Sequence, residues 1–439
     1  MTQRALAVCL AALCGSCSSE LAPIVLDISK NCNEVEVHVL ADNLGESADG
    51  TRDEILDVAA DYATSASSWV LVVPAGGEAG NLYLRRLAGD QVVSEVSLGV
   101  STQFRDATHL RTSPDADEVY VTVRTPDEFR VLRVLDRDPV PFVQGSMNMV
   151  AFPNDSHTCQ PCDTSTWYRD LIFVEGAPYL VSVPPFSPSV AISVWVGRLE
   201  TSNSDISDFR LASEHRLNFE PRCDPDDPDV DVQLCQASNA LVSHPNVQVL
   251  GRQSDPRTGT AALFASRERV EEGNLASAYD VFVVLIGLDN DGVPAGILRS
   301  EQSDFIATQP PGPPSGLAVD PFATYTLVTM PGEGPQLLRL PRVNFDDGFT
   351  ELQVPNLEGQ SLAQLDGDIA LTRVLAGAFE VTKLFPDSVE QSQTTRYETD
   401  APILEARPAG PGRFVLRRGD AAPQLVTLVC AGDDSVPLP

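Results

Sequence analysis

Positive charge is scarce in this chain: 30 Lys and Arg stand against 62 Asp and Glu over 439 residues, a formal net charge of −32. Cationic neutralisation of phosphate dominates nucleic-acid binding, so this balance argues against a nucleic-acid partner. It argues equally against docking on an anionic lipid surface through a basic patch. The same charge suits a self-repelling surface in an aqueous extracytoplasmic space, and attracting cations is a second role open to it. Aromatic residues make up 6%, with three Trp and eight Tyr, which leaves little for broad stacking on sugars. After residue 13 no stretch approaches the roughly 20 apolar residues of a spanning helix, so the rest is expected in the aqueous phase. A Gly-x-Ser-x-Gly elbow, a P-loop, a dinucleotide fingerprint and a His-Glu-x-x-His pair are all missing. The balance is therefore against an enzyme, but the question stays open. A site assembled from single residues on separate elements leaves no local motif.

The N-terminus carries the strongest signal. Arg4 is followed by an apolar run over residues 5–13 and then by Gly15, Ser16 and Cys17. A signal peptide needs an apolar core of roughly 7–15 residues and small residues at its cleavage site. The segment resembles a bacterial lipoprotein signal peptide. Ser16 and Gly15 occupy the small-residue places before the cysteine. Cys14 departs from the pattern, standing where lipoproteins carry an aliphatic residue, with Leu13 one place further back. The resemblance implies cleavage after residue 16 and lipid on Cys17. Several acyl chains anchor firmly where a single one binds marginally. Ser18 and Ser19 follow, not the Asp that usually retains a lipoprotein at the inner membrane. The expected location is thus the outer membrane, on its periplasmic or cell-surface side. An ordinary secretory signal cut nearby is the other reading.

Nine cysteines are present, and Cys9, Cys14 and Cys17 belong to the signal. The other six, Cys32, Cys159, Cys162, Cys223, Cys235 and Cys430, form an even set in an exported chain and read as disulfides. The count leaves the pairing open. Spacing suggests Cys32–Cys430, Cys159–Cys162 and Cys223–Cys235. The first would clasp the two ends of the folded region and close the longest loop.

Short β-like segments separated by turn residues fill the body. Strands are expected over 69–73, 81–84, 118–122, 129–134, 281–285 and 379–384, several alternating apolar and polar residues. Turn signals such as Pro114-Asp115, Asp291-Gly292, Asp347-Gly348 and Asp366-Gly367 fall between them. Helical periodicity is confined to residues 53–62. A degenerate repeat of an apolar residue followed four places later by proline starts at Leu110, Met149, Leu241, Leu317 and Leu404, with a weaker copy at Leu362 and a further one at Leu180. Residues 113–122 align without a gap on 320–329. Four short strands with turns occupy about 40–45 residues, the period of a propeller blade, and several of the repeat spacings fit it.

The repeat resembles the broad β-propeller superfamily, and Ser-Pro-Asp-Ala-Asp at 113–117 matches its turn best. The resemblance is to an architecture over roughly residues 60–430, not to a functional family; neither WD dipeptides nor quinoprotein tryptophan motifs occur. It implies an all-β propeller of about seven blades, with six or eight as variants and tandem β-sandwich domains as the alternative fold. A propeller must bring its ends together. The segments 34–40 and 424–429 are expected to meet in the closing blade. The organisation expected is a signal over 1–16, a lipidated N-terminus and tether over 17–32, a propeller over 33–430 and a tail over 431–439. Long loops are expected near 153–170 and 200–236.

Three clusters bear on chemistry. His157, Cys159 and Cys162 have the atoms for zinc or redox work, but a disulfide in a surface loop accounts for them more simply. Covalent haem attachment is excluded because Asp163 stands where a histidine is required. Asp224, Asp226, Asp227, Asp229 and Asp231 crowd between Cys223 and Cys235. Calcium takes six to eight oxygens, so this loop is a candidate calcium site as well as a solvated insertion. The run at 289–292 reads as a hairpin turn. The five histidines, at 38, 109, 157, 215 and 244, form no ligand pair, although His109 and His244 hold comparable repeat positions. The functional reading is a binding or scaffold module tethered to the outer membrane by lipid, with a protein partner. The alternatives are a divalent-cation-dependent propeller hydrolase or lactonase, and a carbohydrate-binding surface protein.

Overall fold

The computed structural model describes residues 35–45, 51–60, 67–75, 81–102, 108–113, 118–124, 129–135, 141–149, 168–174, 177–183, 194–201, 209–217, 247–255, 260–270, 277–288, 294–301, 316–319, 323–330, 334–341, 350–365, 369–385, 393–409 and 412–430. Strand β1 (Val35–Ala41) comes first and joins the last sheet. Sheet I holds β2 (Glu54–Ala60), β3 (Ser67–Val73), β4 (Asn81–Ala88) and β5 (Gln91–Ser101). Sheet II holds β6 (His109–Thr112), β7 (Glu118–Arg124), β8 (Phe129–Leu135) and β9 (Phe142–Met149). Sheet III holds β10 (Tyr168–Val174), β11 (Ala177–Val183), β12 (Val194–Thr201) and β13 (Phe209–Leu217). Sheet IV holds β14 (Val247–Asp255), β15 (Thr260–Val270), β16 (Ser277–Leu288) and β17 (Pro294–Glu301). Sheet V holds β18 (Leu317–Val319), β19 (Ala323–Met330), β20 (Gly334–Pro341) and β21 (Thr350–Leu352). Sheet VI holds β22 (Ser361–Gln364), β23 (Ile369–Leu375), β24 (Ala378–Leu384) and β25 (Gln393–Tyr397). Sheet VII holds β26 (Ile403–Pro408), β27 (Arg413–Arg418) and β28 (Gln424–Cys430), with β1 as its fourth strand.

Each sheet is a meander of antiparallel neighbours, and successive sheets stack side by side. First strands meet first strands, as in β2 beside β6 and β18 beside β22, while fourth strands meet fourth strands, as in β5 beside β9. Apolar clusters fill the seams. Trp69, Leu71 and Leu84 of sheet I pack with Val121 and Leu132 of sheet II. Tyr120 and Val131 of sheet II pack with Leu171 and Phe173 of sheet III. Phe379 and Val381 of sheet VI pack with Phe414 and Leu416 of sheet VII, the two phenyl rings 5.1 Å apart. Val415 and Leu425 of sheet VII then meet Val58 and Val70 of sheet I, so the ring returns on itself. The molecule is an all-β propeller, not a pair of sandwiches.

The sequence explains the layering. Second strands lie between two sheets and read as nearly unbroken apolar runs: every residue of β3, Ser-Ser-Trp-Val-Leu-Val-Val, is buried. Fourth strands face outward, and β5 is mostly exposed. Closure follows the expected segments. β1 runs antiparallel to β28 from Val35 opposite Cys430 to Ala41 opposite Leu425. An N-terminal strand thus supplies the outer strand of a blade whose other three are C-terminal, which covers the edge of β28 and ties the two ends of the ring together.

Four expectations need correction. The helix expected over 53–62 is strand β2, because Asp53 accepts the Ala75 N–H at 2.8 Å and the following residues pair with β3. The repeat copies do not share one position in the sheets, and only some fall on first strands. Leu110, Leu317 and Leu362 do, but Met149 ends a fourth strand and Leu180 lies in a second. In β26 the buried residue is Ile403, whereas Leu404 is exposed. The gapless alignment of 113–122 on 320–329 is out of register: Leu110 pairs with Val121 but Leu317 with Thr326, so the first hairpin is two residues longer. Finally, residues 209–217 inside the expected 200–236 loop form β13, and 168–170 begin β10.

Candidate functional site

The first strands of four consecutive sheets carry charges of alternating sign where they gather around the ring's axis. Arg407 lies on β26, Asp57 on β2, Arg111 on β6 and Asp170 on β10. Asp57 is the bridge from sheet I: its Oδ2 accepts the backbone N–H of Leu110 at 2.8 Å, and its other oxygen accepts that of Val58 at 2.9 Å. Arg111 stands between two carboxylates. Its Nε and Nη2 donate to the two oxygens of Asp170 at 3.0 and 2.9 Å, a forked pair. Its Nη1 donates to the Leu110 carbonyl at 2.9 Å and lies 3.6 Å from Asp57 Oδ2. Asp170 also accepts the Leu171 N–H at 2.8 Å, and its side chain is only 4% exposed. On the other flank, the exposed Arg407 donates from Nη2 to the Ile55 carbonyl at 3.5 Å.

This arrangement is a clamp. Its carboxylate oxygens are already engaged by N–H donors, so its first effect is to tie sheets I, II and III together at the centre. Asp57 and Arg407 form the end of the clamp that meets solvent. Beside it lies Arg169, buried, with Nε donating to Ser182 Oγ at 3.2 Å and its guanidinium 5.2 Å from the Phe129 ring centre. Burial first, and the nearby charge of Arg124 second, push the Arg169 guanidinium down to about 10. On sheet II a related triad joins Tyr120, Glu118 and Arg133. Tyr120 Oη donates to Glu118 at 2.6 Å, and Arg133 donates to the other Glu118 oxygen. Burial, then the Glu118 charge, pushes the Tyr120 hydroxyl well above its ordinary range.

A second polar centre secures the closing strand. Arg418 Nη2 donates to the Asp42 carbonyl at 2.7 Å, immediately after β1, and Nε donates to the Ala422 carbonyl at 2.9 Å. Its Nη1 lies 3.2 Å from Asp42 Oδ1 and 3.4 Å from Asp400 Oδ1. Gln424 Nε2 donates to Asp42 Oδ1 at 2.8 Å, and Tyr397 Oη donates to Gln424 Oε1 at 2.9 Å. On the neighbouring seam Arg413 donates to the Ser67 carbonyl at 2.9 Å, linking sheet VII to sheet I.

The residues singled out in the sequence fall almost wholly outside the described residues. These are Cys17, Cys32, Cys159, Cys162, Cys223 and Cys235, the aspartates 224, 226, 227, 229 and 231, and His157 and His244. Cys430 is described as the last residue of β28, with its backbone opposite Val35. His109 lies in β6, where its carbonyl accepts the Thr122 hydroxyl at 3.4 Å, and His38 pairs with Glu36 at 2.9 Å. Among the described residues no group of three or more His, Cys, Asp or Glu is placed to hold a metal ion. Nor is any helix among them long and apolar enough to cross a membrane. The charged clamp escaped the sequence reading because Asp57 lay in a segment read as helix and Asp170 at the end of a presumed loop. Arg111 did sit inside a repeat copy, and that was the available signal.

No family model matches the chain, and no curated protein matches it. Solved propellers do resemble it in shape. The Dos1 propeller is 9% identical, covering 88% of this chain and 82% of its own, with a TM-score of 0.43. The β-propeller domain of the Trilobed protease from Pyrococcus furiosus is 9% identical, covering 87% and 96%, with a TM-score of 0.45. Sqt1 from Chaetomium thermophilum is 11% identical, covering 91% and 99%, with a TM-score of 0.41. At such identities the likeness concerns fold alone, and the class of this molecule, a β-propeller, rests on its own strand order.

Proposed function

We propose that this propeller is an extracytoplasmic binding or scaffold module, held at the outer membrane by lipid on Cys17. The observation that carries the reading is the juxtaposition of a lipoprotein-like N-terminus with a strand that closes the ring. Residues 18–34 separate Cys17 from β1, a segment that spans at most about 60 Å. The anchor therefore joins the body through an outer strand of a blade, which keeps the ring within reach of the membrane. The net charge of −32 supports an aqueous, extracytoplasmic setting and disfavours nucleic acid. A ring tied by Arg111 and latched by Arg418 offers a rigid surface, which limits the entropy lost when a partner docks. The test is gentle solubilisation of native membranes after mild crosslinking, followed by affinity purification, with the Cys17→Ala protein as the released control. A stoichiometric protein partner in the membrane fraction, lost together with the protein in the control, is expected. A Cys17→Ala protein that stays in the membrane fraction would overturn the anchor, and recovery of the wild-type protein alone would overturn the scaffold role.

A further inference from the structure

Large apolar side chains that stand exposed are few among the described residues, and two of them, Leu375 at 45% and Leu404 at 49%, belong to the seam between sheets VI and VII. Leu375 ends β23 and lies across from Ala378, so only Ala376 and Gly377 turn the chain into β24. Leu404 lies on β26, next to Ile403, whose N–H donates to the Gly377 carbonyl at 2.8 Å. Pro402, also exposed, sits against the same turn: a Cβ placed on Gly377 would lie 3.2 Å from Pro402 Cβ. Both turn residues have positive φ, 51° at Ala376 and 80° at Gly377. Asn or Asp commonly takes the first of these places, since a short polar side chain offsets the left-handed backbone. Ala376 presents a methyl group there instead, and it is exposed, so the fold gains no packing from it. Leu375, Ala376, Pro402 and Leu404 thus gather an apolar rim at one end of the seam, with backbone strain at its apex.

The tether bears on what covers this rim. Residues 18–34 separate Cys17 from β1. β1 enters the fold at the same seam, where the Val35 carbonyl accepts the Thr395 hydroxyl of β25 at 2.7 Å. The rim lies toward the other end of β1: there Arg418 reaches both Asp42 and Asp400, and the Gly419 N–H donates to the Pro402 carbonyl at 2.9 Å. A tether running back along that seven-residue strand gives up roughly 25 Å, which leaves more than half of its reach of about 60 Å. The rim can therefore meet the surface that holds Cys17. Tethering makes the contact intramolecular, so a small apolar rim suffices where a free protein would need a large one. Charge restricts the surface. The Asp400 side chain is 85% exposed and that of Glu405 57%, both beside the rim, and an anionic lipid surface would repel them.

We propose that this rim is a second membrane contact, in which Leu375, Ala376, Pro402 and Leu404 rest on a zwitterionic lipid surface and set the orientation of a ring that the lipid on Cys17 holds nearby. The inference rests on the Cys17 anchor, and its test reads the two separately. The full lipidated chain is reconstituted in vesicles of phosphatidylcholine brominated on its acyl chains. It carries Leu375→Trp or, as the reference, Glu200→Trp at an exposed place on β12 of sheet III, which adjoins neither sheet VI nor sheet VII. Flotation with the vesicles reads the anchor. Bromine quenching, after subtraction of the parent chain's own indoles, reads the contact. Quenching at position 375 is expected to exceed that at position 200 at least threefold, and to fall to the reference level when Leu404→Asp is added. Replacing half of the lipid with brominated phosphatidylglycerol is expected to lower it further than dilution of the rim's partner would, to about half. Vesicle-bound chain with equal quenching at the two positions would overturn the contact and leave the anchor standing. Quenching that survives Leu404→Asp, or that does not fall on the anionic surface, would overturn the contact as well. So would an indole at position 375 shielded from bromine and from aqueous iodide alike, the mark of a protein seated on the rim. A chain that does not float with the vesicles would overturn the anchor and the contact with it.

Discussion

Arg111 and Asp170 show how a single residue holds sheets together. Asp170 is almost fully enclosed, so removing the guanidinium strands a charge where water cannot reach it. Breaking one side of such a pair costs about 3–5 kcal/mol, whereas removing both partners costs far less. Arg111→Ala is therefore expected to lower stability in denaturant melts by about that amount, with the Arg111→Ala/Asp170→Ala double variant recovering a large part of it. Equal losses in the single and double variants would show that the pair is not coupled. Gly316 offers a second residue-scale test. Its φ is 152°, and a Cβ placed there would lie 2.3 Å from the Leu362 carbonyl oxygen, where β18 crosses β22. Neither backbone can yield, so Gly316→Ala is expected to cost about 2–4 kcal/mol, read as a lower melting temperature. Tyr120 sets a pH dependence. Its hydroxyl is held protonated in the fold above its ordinary value of 10.0, by burial and by Glu118. Above that pH the unfolded chain loses the proton and the folded one keeps it, so stability falls as pH rises past about 10. Tyr120→Phe is expected to flatten that part of the stability-against-pH curve, with little change in slope at neutral pH.

Among the elements, β1 decides whether the ring stays shut. Its backbone pairs only with β28 along sheet VII, and Arg418 holds the chain as it leaves, through the Asp42 carbonyl. The carboxylates of Asp42 and Asp400 are well exposed, so the two carbonyl hydrogen bonds carry most of the effect. Hydrogen bonds from a charged donor contribute about 1.5–3 kcal/mol each. Arg418→Ala is expected to speed amide exchange across Val35–Ala41 on the order of 10²-fold while β3 and β7 keep their protection. Unchanged exchange in β1 would mean that the strand pairing alone secures the latch.

The elements also show how far the sequence could be read. Runs such as Trp-Val-Leu-Val-Val at 69–73 and Phe-Glu-Val-Thr-Lys-Leu at 379–384 were legible as strands because a buried or half-buried strand leaves a short, dense apolar signature. β2 was not, since Ile55, Leu56 and Val58 fit a helical stripe as well as a strand, and only pairing with β3 chooses between them. Leu404 and Met149 satisfied the repeat by composition while sitting on the wrong face or the wrong strand, because one residue of slip reverses which side chain is buried. The clamp at the axis was invisible for a different reason. Asp57, Arg111 and Asp170 are distant in sequence and are gathered only by the ring.

At the scale of the whole molecule, the two ends of the folded chain converge. Val35 and Cys430 face each other in sheet VII, a few residues after Cys32 in the sequence. That closure gives the pairing Cys32–Cys430 a structural reason, and peptide mapping with and without reduction tests it: the two peptides are expected to migrate as one until reduced. The same closure places the attachment point of the tether on an outer strand, so a lipid at Cys17 would hold the ring at the membrane without entering its core. Intact-mass analysis of the mature protein from native membranes is the most direct measurement of that anchor. The expected result is a chain beginning at Cys17 and carrying the added mass of diacylglycerol and an acyl group. A mature chain beginning elsewhere, or an unmodified Cys17, would contradict it.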